Sequence, residues 1–496
     1  MRRNDAIRRL LVAVAGASIG LGCLPDNPAL LPEEEPPPRP TGPMPAIEGE
    51  ILGCGDDSCL LVLVSQTLDD RLEIFAPRDP DGEVYRGAIG LDLVPNECPG
   101  CGLGDNGEGR LDEPFGLALT PAGLHVVTGH YPTPELGSLL TFPREWFADR
   151  PAGQLVPESE YFAAGAFSGV DALSLDQLEP IFVRPVADKL VIGTFNNSLI
   201  APEETWSRPG KLLIVDPADP EAAPGVVDLD DLDGQACNGT AQVVELSGDR
   251  LAMACDGNEA IAVVDIPDLS AHAPDDAASQ VGGWICPIPG ATPGRRVRYL
   301  AADDDGGLMV ADGPPVNDHQ ATAKLWRLDP ESCEVSAPAV FGGGGEGRLG
   351  EVVALPGGDD ESRHWLVASG SNHPGGERGV LVVEDAGEGP QVCGSIGGLD
   401  DMLDAGGEPL EPYALAVAPD GEGLAIGAGP HIAPTAGPGY GRVLWGELEG
   451  RDDPCTMTAT VVDLTGGAPA GPAVDPLDPR TFRRAPNVVE VVEVAG

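Results

Sequence analysis

Six times along its length the chain repeats one short phrase: an apolar run, a tight turn built on Gly or Asp, and a second apolar run. The phrase reads TPAGLHVV at Gly123, PVADKLVIG at Asp188, LSGDRLAMA at Gly248, DDDGGLMVA at Gly306, LPGGDDESRHWLVAS at Gly357 and APDGEGLAIG at Gly421. Successive copies stand about 50 to 65 residues apart, the period expected of a four-stranded sheet with long loops. Runs of β-branched and aliphatic residues broken by Gly, Pro and Asp continue throughout, with almost no helical periodicity. The chain therefore reads as all-β.

Each phrase leads into a third run ending near an acidic residue or Pro, such as GKLLIVDP, NEAIAVVDIPD and RGVLVVED, and then into a weaker fourth run. Before the first full unit, Cys59 to Gln66, Asp70 to Pro77 and Glu83 to Leu93 read as strands two, three and four of a further unit with no first strand. The missing strand stands at the other end of the chain. Ala485 to Val494 (APNVVEVVEV) has the Pro and the alternation of a first strand, with no partner after it. Pairing it with the N-terminal three would close a ring and leave no free sheet edge. The expected fold is a seven-bladed β-propeller, its first blade closed by the C-terminal strand in a one-plus-three clasp.

PYALAVAPDGEGLAIGAG together with NEAIAVVDI resembles the YVTN-type β-propeller repeat of bacterial surface and periplasmic proteins, a group similar to the NHL and lactonase-like propellers. The resemblance covers roughly residues 50 to 496. It implies the fold strongly and a function weakly, because the repeated residues serve packing and turns.

The first residues carry a second resemblance. Arg2, Arg3, Arg8 and Arg9 precede an apolar run from Leu10 to Leu21 that is too short to span a bilayer, which takes about 20 residues. The pattern is an export signal. Its end, Leu21-Gly22-Cys23, resembles the lipobox of bacterial lipoproteins, although Gly20 stands where that motif has an aliphatic residue. The resemblance implies cleavage after residue 22 and a lipid on Cys23, with residues 23–48 as a Pro- and Glu-rich tether and residues 49–496 as the propeller. An ordinary secretory signal is the competing reading. Leu24 after the cysteine implies, by similarity to enteric lipoproteins, an outer-membrane protein held to the membrane through its lipid anchor alone.

With 29 Lys and Arg against 80 Asp and Glu, the net charge is −51, which argues against nucleic acid or anionic lipid as a direct partner. A monomer that meets an envelope protein, a glycan or a small ligand is expected.

The long connections run from second to third strands and emerge on one face, whereas the one-to-two turns opposite are tight. His130, Asn196, Asn258, His319, His373 and His431 fall on those long connections and are the ligand-face candidates; the alternative is that they finish turns, for which Asn and His are suited. Glu-Pro pairs precede three first strands at Glu113, Glu179 and Glu411. Because first strands line the axis, these carboxylates are candidates to ring the channel mouth and hold a hard cation such as Ca2+, while Pro alone also accounts for part of the motif. No other cofactor is indicated. Asp-rich stretches at residues 78–84 and 104–114 lack the EF-hand spacing, and no phosphate loop, GxSxG nucleophile or haem motif occurs.

Eleven cysteines leave an even number once Cys23 is set aside, so disulfides are expected in an exported chain. Cys54, Cys59, Cys98 and Cys101 are close enough to close small loops, with a zinc site as the competing reading, and Cys237 and Cys255 should meet at one end of adjacent strands. Cys286, Cys333, Cys393 and Cys455 belong to fourth strands or the turns into them and are left unpaired. The expected function is a non-catalytic, envelope-anchored propeller offering a loop-rich face to a ligand; the alternative is a lactonase-like, metal-dependent hydrolase with an axial cation.

Overall fold

The computed structural model describes residues 50–53, 58–66, 71–79, 84–91, 113–129, 136–148, 150–163, 166–178, 180–194, 209–219, 222–247, 250–255, 257–265, 279–289, 296–303, 305–313, 323–341, 349–356, 363–370, 379–385, 387, 389–397, 399, 411–429, 441–465 and 486–494. They form seven sheets of four or five strands, antiparallel apart from two added edge strands, and one two-stranded sheet, Phe162–Ala163 with Ala166–Phe167.

Blade one is the closure. Its innermost strand is Pro486–Val494, followed by Cys59–Gln66, Arg71–Phe75 and Tyr85–Gly90. Leu61 lies opposite Val492, Leu63 opposite Glu490 and Val64 opposite Val489, so the C-terminal strand pairs antiparallel with Cys59–Gln66 from Cys59 to Ser65, with a register shift between Ser65 and Gln66. The expected one-plus-three clasp is the observed one.

The other blades keep chain order from the axis outward. Their first strands are Glu113–Leu119, Pro180–Val186, Thr240–Ser247, Arg296–Ala302, Leu349–Ala354 and Pro412–Val417, for blades two to seven. Each of these contacts the next, and blades seven and two both contact Pro486–Val494, so the seven first strands make a closed inner ring.

Period-two alternation explains how the blades stack. In Arg250–Cys255, the second strand of blade four, Leu251, Met253 and Cys255 pack with blade three while Ala252 and Ala254 pack with blade five. Successive side chains point to opposite faces, and both faces are buried. Seven apolar clusters result among the described residues, each straddling one pair of neighbouring blades.

Two insertions go beyond the simple repeat. After the third strand of blade two, Leu136–Pro143, the chain makes a short helix, Arg144–Phe147, and then the strand Gln154–Val156, which pairs parallel to the outer strand of blade one. Ser279–Gln280 likewise pairs parallel to Gly225–Asp228 at the edge of blade three. In both cases the following blade lends a strand that covers its neighbour's edge, which blunts edge-to-edge pairing between molecules.

Three disulfides join described cysteines. Cys237–Cys255 ties the entry of blade four to the end of its second strand, as the spacing predicts. Cys286–Cys333 links blades four and five, and Cys393–Cys455 links blades six and seven, which pairs the four cysteines that spacing could not assign. Cys59 is disulfide-bonded as well. Cross-links between blades and the oxidised cysteines accord with an exported, oxidising compartment. No helix among the described residues is long and apolar enough to cross a membrane.

Candidate functional site

The inner ring encloses a chamber of about 420 Å³ lined by first strands of six blades. Its lining comes from residues 184–186, 242–245, 300–302, 351–354, 415–417 and 489–490. In blades three, five, six and seven these are the later residues of the first strand, and in blade four the middle ones, toward the one-to-two turns. The chamber thus lies toward the end of the ring where first strands turn into second strands.

Most of the lining is Val, Leu and Ala, and five polar or charged side chains break that pattern: Arg184, Gln242, Glu245, Glu351 and Glu490. Arg184 Nη1 pairs with Glu490 Oε1 at 2.9 Å, joining blade three to the closing strand across the axis. Gln242 Nε2 donates to Glu351 Oε1 at 3.2 Å, and its own Oε1 accepts from the Leu300 backbone N–H at 2.6 Å. The other Glu351 oxygen accepts from the Leu415 N–H at 3.0 Å. One polar network therefore links the first strands of blades four, five, six and seven. Arg184 and Glu490 keep 37% and 22% of their side-chain surface accessible, and both face the chamber, so their attraction is partly screened by the water that enters it.

The electrostatics of Glu351 follow from this position. Burial pushes its carboxyl up to about 7, against the hydrogen bond from Leu415, the attraction of Arg184 and the hydrogen bond from Gln242, with the Glu490 charge adding to the rise. Arg184 is held above its ordinary value, chiefly by Glu490 and secondarily by Glu351, with burial opposing. Three carboxylates, Glu245, Glu351 and Glu490, and one guanidinium thus line the chamber, and Glu351 changes charge near neutral pH.

Nearer the strand starts, the Tyr299 hydroxyl donates to the Tyr413 hydroxyl, with the rings edge-on at 5.9 Å. Burial raises the Tyr413 phenol well above its ordinary range, so it stays neutral. The two tyrosines come from blades five and seven and meet across blade six. That approach needs Gly350, where a Cβ would lie 2.3 Å from the Tyr413 carbonyl oxygen.

Of the sequence candidates, Glu113 opens the first strand of blade two with its backbone opposite Gly129. Glu411 is half-buried just before the first strand of blade seven; its Cδ would lie 3.2 Å from a Cβ on Gly370, and its carbonyl accepts from the Gly429 N–H at 2.9 Å. Asn258 Nδ2 donates to the Ala236 carbonyl at 2.6 Å and its Oδ1 accepts from the Asn238 N–H, so its amide clamps the loop that carries Cys237. That is the turn-finishing role rather than a free ligand group. Cys23, Cys54, Cys98, Cys101, Glu179, His130, Asn196, His319, His373 and His431 lie outside the described residues.

Sequence reasoning missed Arg184, Gln242, Glu351 and Glu490. The signal was present in IFVRPV, TAQVVE, LGEVVA and NVVEVV, where a polar residue interrupts a first strand whose neighbours are apolar. On strands buried on both faces, such an interruption marks a position that faces the channel.

No family model matches the chain, and no curated protein does. Solved structures with similarity include a protein provisionally described as a 6-phosphogluconolactonase from Bacteroides fragilis, at TM-score 0.47 and 11% identity over 89% of this chain and 99% of that one. A counterpart from Bacteroides uniformis has TM-score 0.46 and 10% identity, covering 88% of this chain and 100% of that one. AztD of Citrobacter koseri has TM-score 0.37 and 9% identity over 88% of this chain and 99% of that one. Likeness at this level says nothing of activity. The propeller assignment rests on strand order and the closed inner ring.

Proposed function

We propose that this chain is an exported, non-catalytic binding protein of the YVTN and lactonase-like propeller group, tethered to the envelope through Cys23, whose axial chamber takes a small organic cation. The observation that carries the reading is the convergence of Glu351, Glu490 and Arg184 on one chamber. Counted with Glu245 on the same lining, and with Glu351 ionised, the formal charges sum to two negative, inside a molecule whose net charge is −51. Arg184 already has Glu490 as its carboxylate, which leaves Glu351 and Glu245 to receive the ligand. A chamber of about 420 Å³ lies within the 300–1,000 Å³ range of small-molecule sites. Its apolar walls of Val244, Val353 and Val417 suit the alkyl part of an amine. The long loops of the opposite face remain the surface we assign to an envelope protein or glycan.

Calorimetry with spermidine and with tetramethylammonium, against acetate and phosphate, tests the reading at pH 6 and pH 8. Binding of a cation that strengthens from pH 6 to pH 8 and disappears in Glu351→Gln is the expected result. Binding of the anions instead, or cation binding indifferent to Glu351→Gln, would overturn it. Tight calcium binding accompanied by lactone hydrolysis would favour the alternative, a lactonase-like hydrolase using Glu113, Glu179 and Glu411.

A further inference from the structure

Among the described residues, one group of His, Cys and carboxylate side chains brings its ligand atoms within metal-binding reach: His364, Glu384, Cys393 and Cys455, all mutually within 4.8 Å. Three come from successive strands of blade six. His364 stands on the second strand directly opposite Glu384 on the third, and Cys393 belongs to the fourth. Cys455 is delivered from blade seven by the short turn Pro454–Thr456. That turn docks closely because residue 394 is glycine: a Cβ there would lie 2.2 Å from the Cys455 carbonyl oxygen.

The distances match a coordination polyhedron as well as a disulfide. Cys455 Sγ is 3.7 Å from His364 Nε2 and 3.9 Å from Glu384 Oε2. With zinc–sulfur bonds of about 2.3 Å and zinc–nitrogen or zinc–oxygen bonds of about 2.0–2.2 Å, the edges of a tetrahedral site are about 3.5 to 3.8 Å. The other two disulfides between described cysteines lack such company. Cys237, Cys255 and Cys286 are fully buried, and Cys255 and Cys286 face backbone carbonyls of Met253 and Pro330. Cys393, Cys455, His364 and Glu384 are all partly open to solvent. A disulfide needs neither an imidazole nor a carboxylate beside it. A zinc ion needs both sulfurs reduced and two such ligands.

We propose that the rim between blades six and seven is a thiol-dependent zinc site, closed to metal as a disulfide and open to it as a dithiol. A dithiol reductant gives two electrons and two protons to the Cys393–Cys455 bond and becomes a disulfide itself. The two thiols then release their protons as Zn2+ binds both thiolates, His364 Nε2 and the Glu384 carboxylate. The chemistry selects a soft or borderline divalent ion such as zinc over calcium or magnesium, because sulfur supplies half of the ligands.

Cobalt(II) is the probe, titrated anaerobically into the full chain before and after treatment with a phosphine reductant. The expected result is a sulfur-to-cobalt charge-transfer band with the visible bands of tetrahedral cobalt, saturating at one equivalent, in the reduced protein alone and displaced by zinc. The Cys393→Ser/Cys455→Ser double variant should lose the bands. His364→Gln and Glu384→Gln, which leave the disulfide and both sulfurs in place, should weaken binding about 10-fold or more, no less than loss of an outer supporting residue does. Absence of thiolate bands in the reduced protein, or bands undiminished in the double variant, would overturn the proposal. An independent arm avoids full reduction: in a glutathione buffer, alkylation mapping of Cys393 and Cys455 should show zinc shifting the pair toward the dithiol. That shift should vanish in His364→Gln, and its absence in the unaltered protein would also refute the site.

Discussion

Glu351→Gln should change sign in its effect on stability as pH rises. Burial raises the native carboxyl from 4.5 to about 7, so the folded state holds a proton that the unfolded chain has already lost. Between those two values the native state binds more protons, and unfolding free energy falls as pH increases. At 1.36 kcal/mol per pH unit, the ionised form at pH 8 costs the fold about 3 kcal/mol relative to acidic solution. Glutamine removes that cost. It also removes one acceptor: it can still receive the Leu415 N–H, but its own NH2 cannot accept from Gln242, whose oxygen is held by Leu300. Losing that hydrogen bond costs about 1 kcal/mol at every pH. The variant should therefore be about 1 kcal/mol less stable than the parent well below pH 4.5, near parity at pH 5, and about 2 kcal/mol more stable at pH 8. At about 2.1 cal/mol/K per residue, the full swing is about 3 °C in melting temperature for a chain of this size. Paired calorimetric scans or urea titrations from below pH 4.5 to pH 8, read as differences between the two proteins, measure it directly. A difference that does not vary with pH would show that the Glu351 carboxyl is not held up by burial, and the cation reading of the chamber would lose its main support.

Two further outcomes follow from the fold. His125 is fully buried between the Thr120 and Thr141 hydroxyls, and burial lowers it to about 4, so it is neutral when folded and gains a proton only on unfolding. Its contribution is fully present above pH 6.5 and is lost as pH falls toward 4, by about 3 kcal/mol in all; His125→Gln should flatten that part of the stability profile in denaturant titrations. Removal of residues 486–494 takes away the first strand of blade one and leaves Cys59–Gln66 without its inner partner. The truncated chain should aggregate or elute larger on size exclusion, and a synthetic peptide of that sequence should restore a monomer; an unaltered, cooperative melt of the truncated chain would contradict the clasp.

The fold was legible because the propeller repeats its packing problem. Each blade must bury both faces, so Leu251, Met253 and Cys255 alternate with Ala252 and Ala254, and the same alternation recurs in blade after blade. The closure was legible for the same reason: Pro486–Val494 carried a first-strand pattern with nothing beside it in sequence. The strand Gln154–Val156 was not legible, because what stabilises it is the exposed edge of another blade and not its own pattern. Nor were the pairings Cys286–Cys333 and Cys393–Cys455, since each joins neighbouring blades and depends on how outer strands and turns come together, which spacing along the chain does not encode.

The candidate site was hidden by a different circumstance. Attention to long loops led to Asn258, which clamps a disulfide loop, and the Glu-Pro pairs led to Glu411, which lies beside Gly370. The charged residues that meet at the axis lie inside strands, where a lone Glu or Arg reads as an outward, solvated position on a half-exposed sheet. The inner ring reverses that inference. A first strand has neighbouring blades on its flanks and the channel in front of it, so its one unpacked direction points at the axis. Arg184, Gln242, Glu351 and Glu490 are polar in strands that have no solvent face on the outside of the molecule, and the channel is where such side chains find partners. A polar residue midway along the first strand of a repeat is, on this geometry, a better indicator of the axial site than a polar residue on the loops around it.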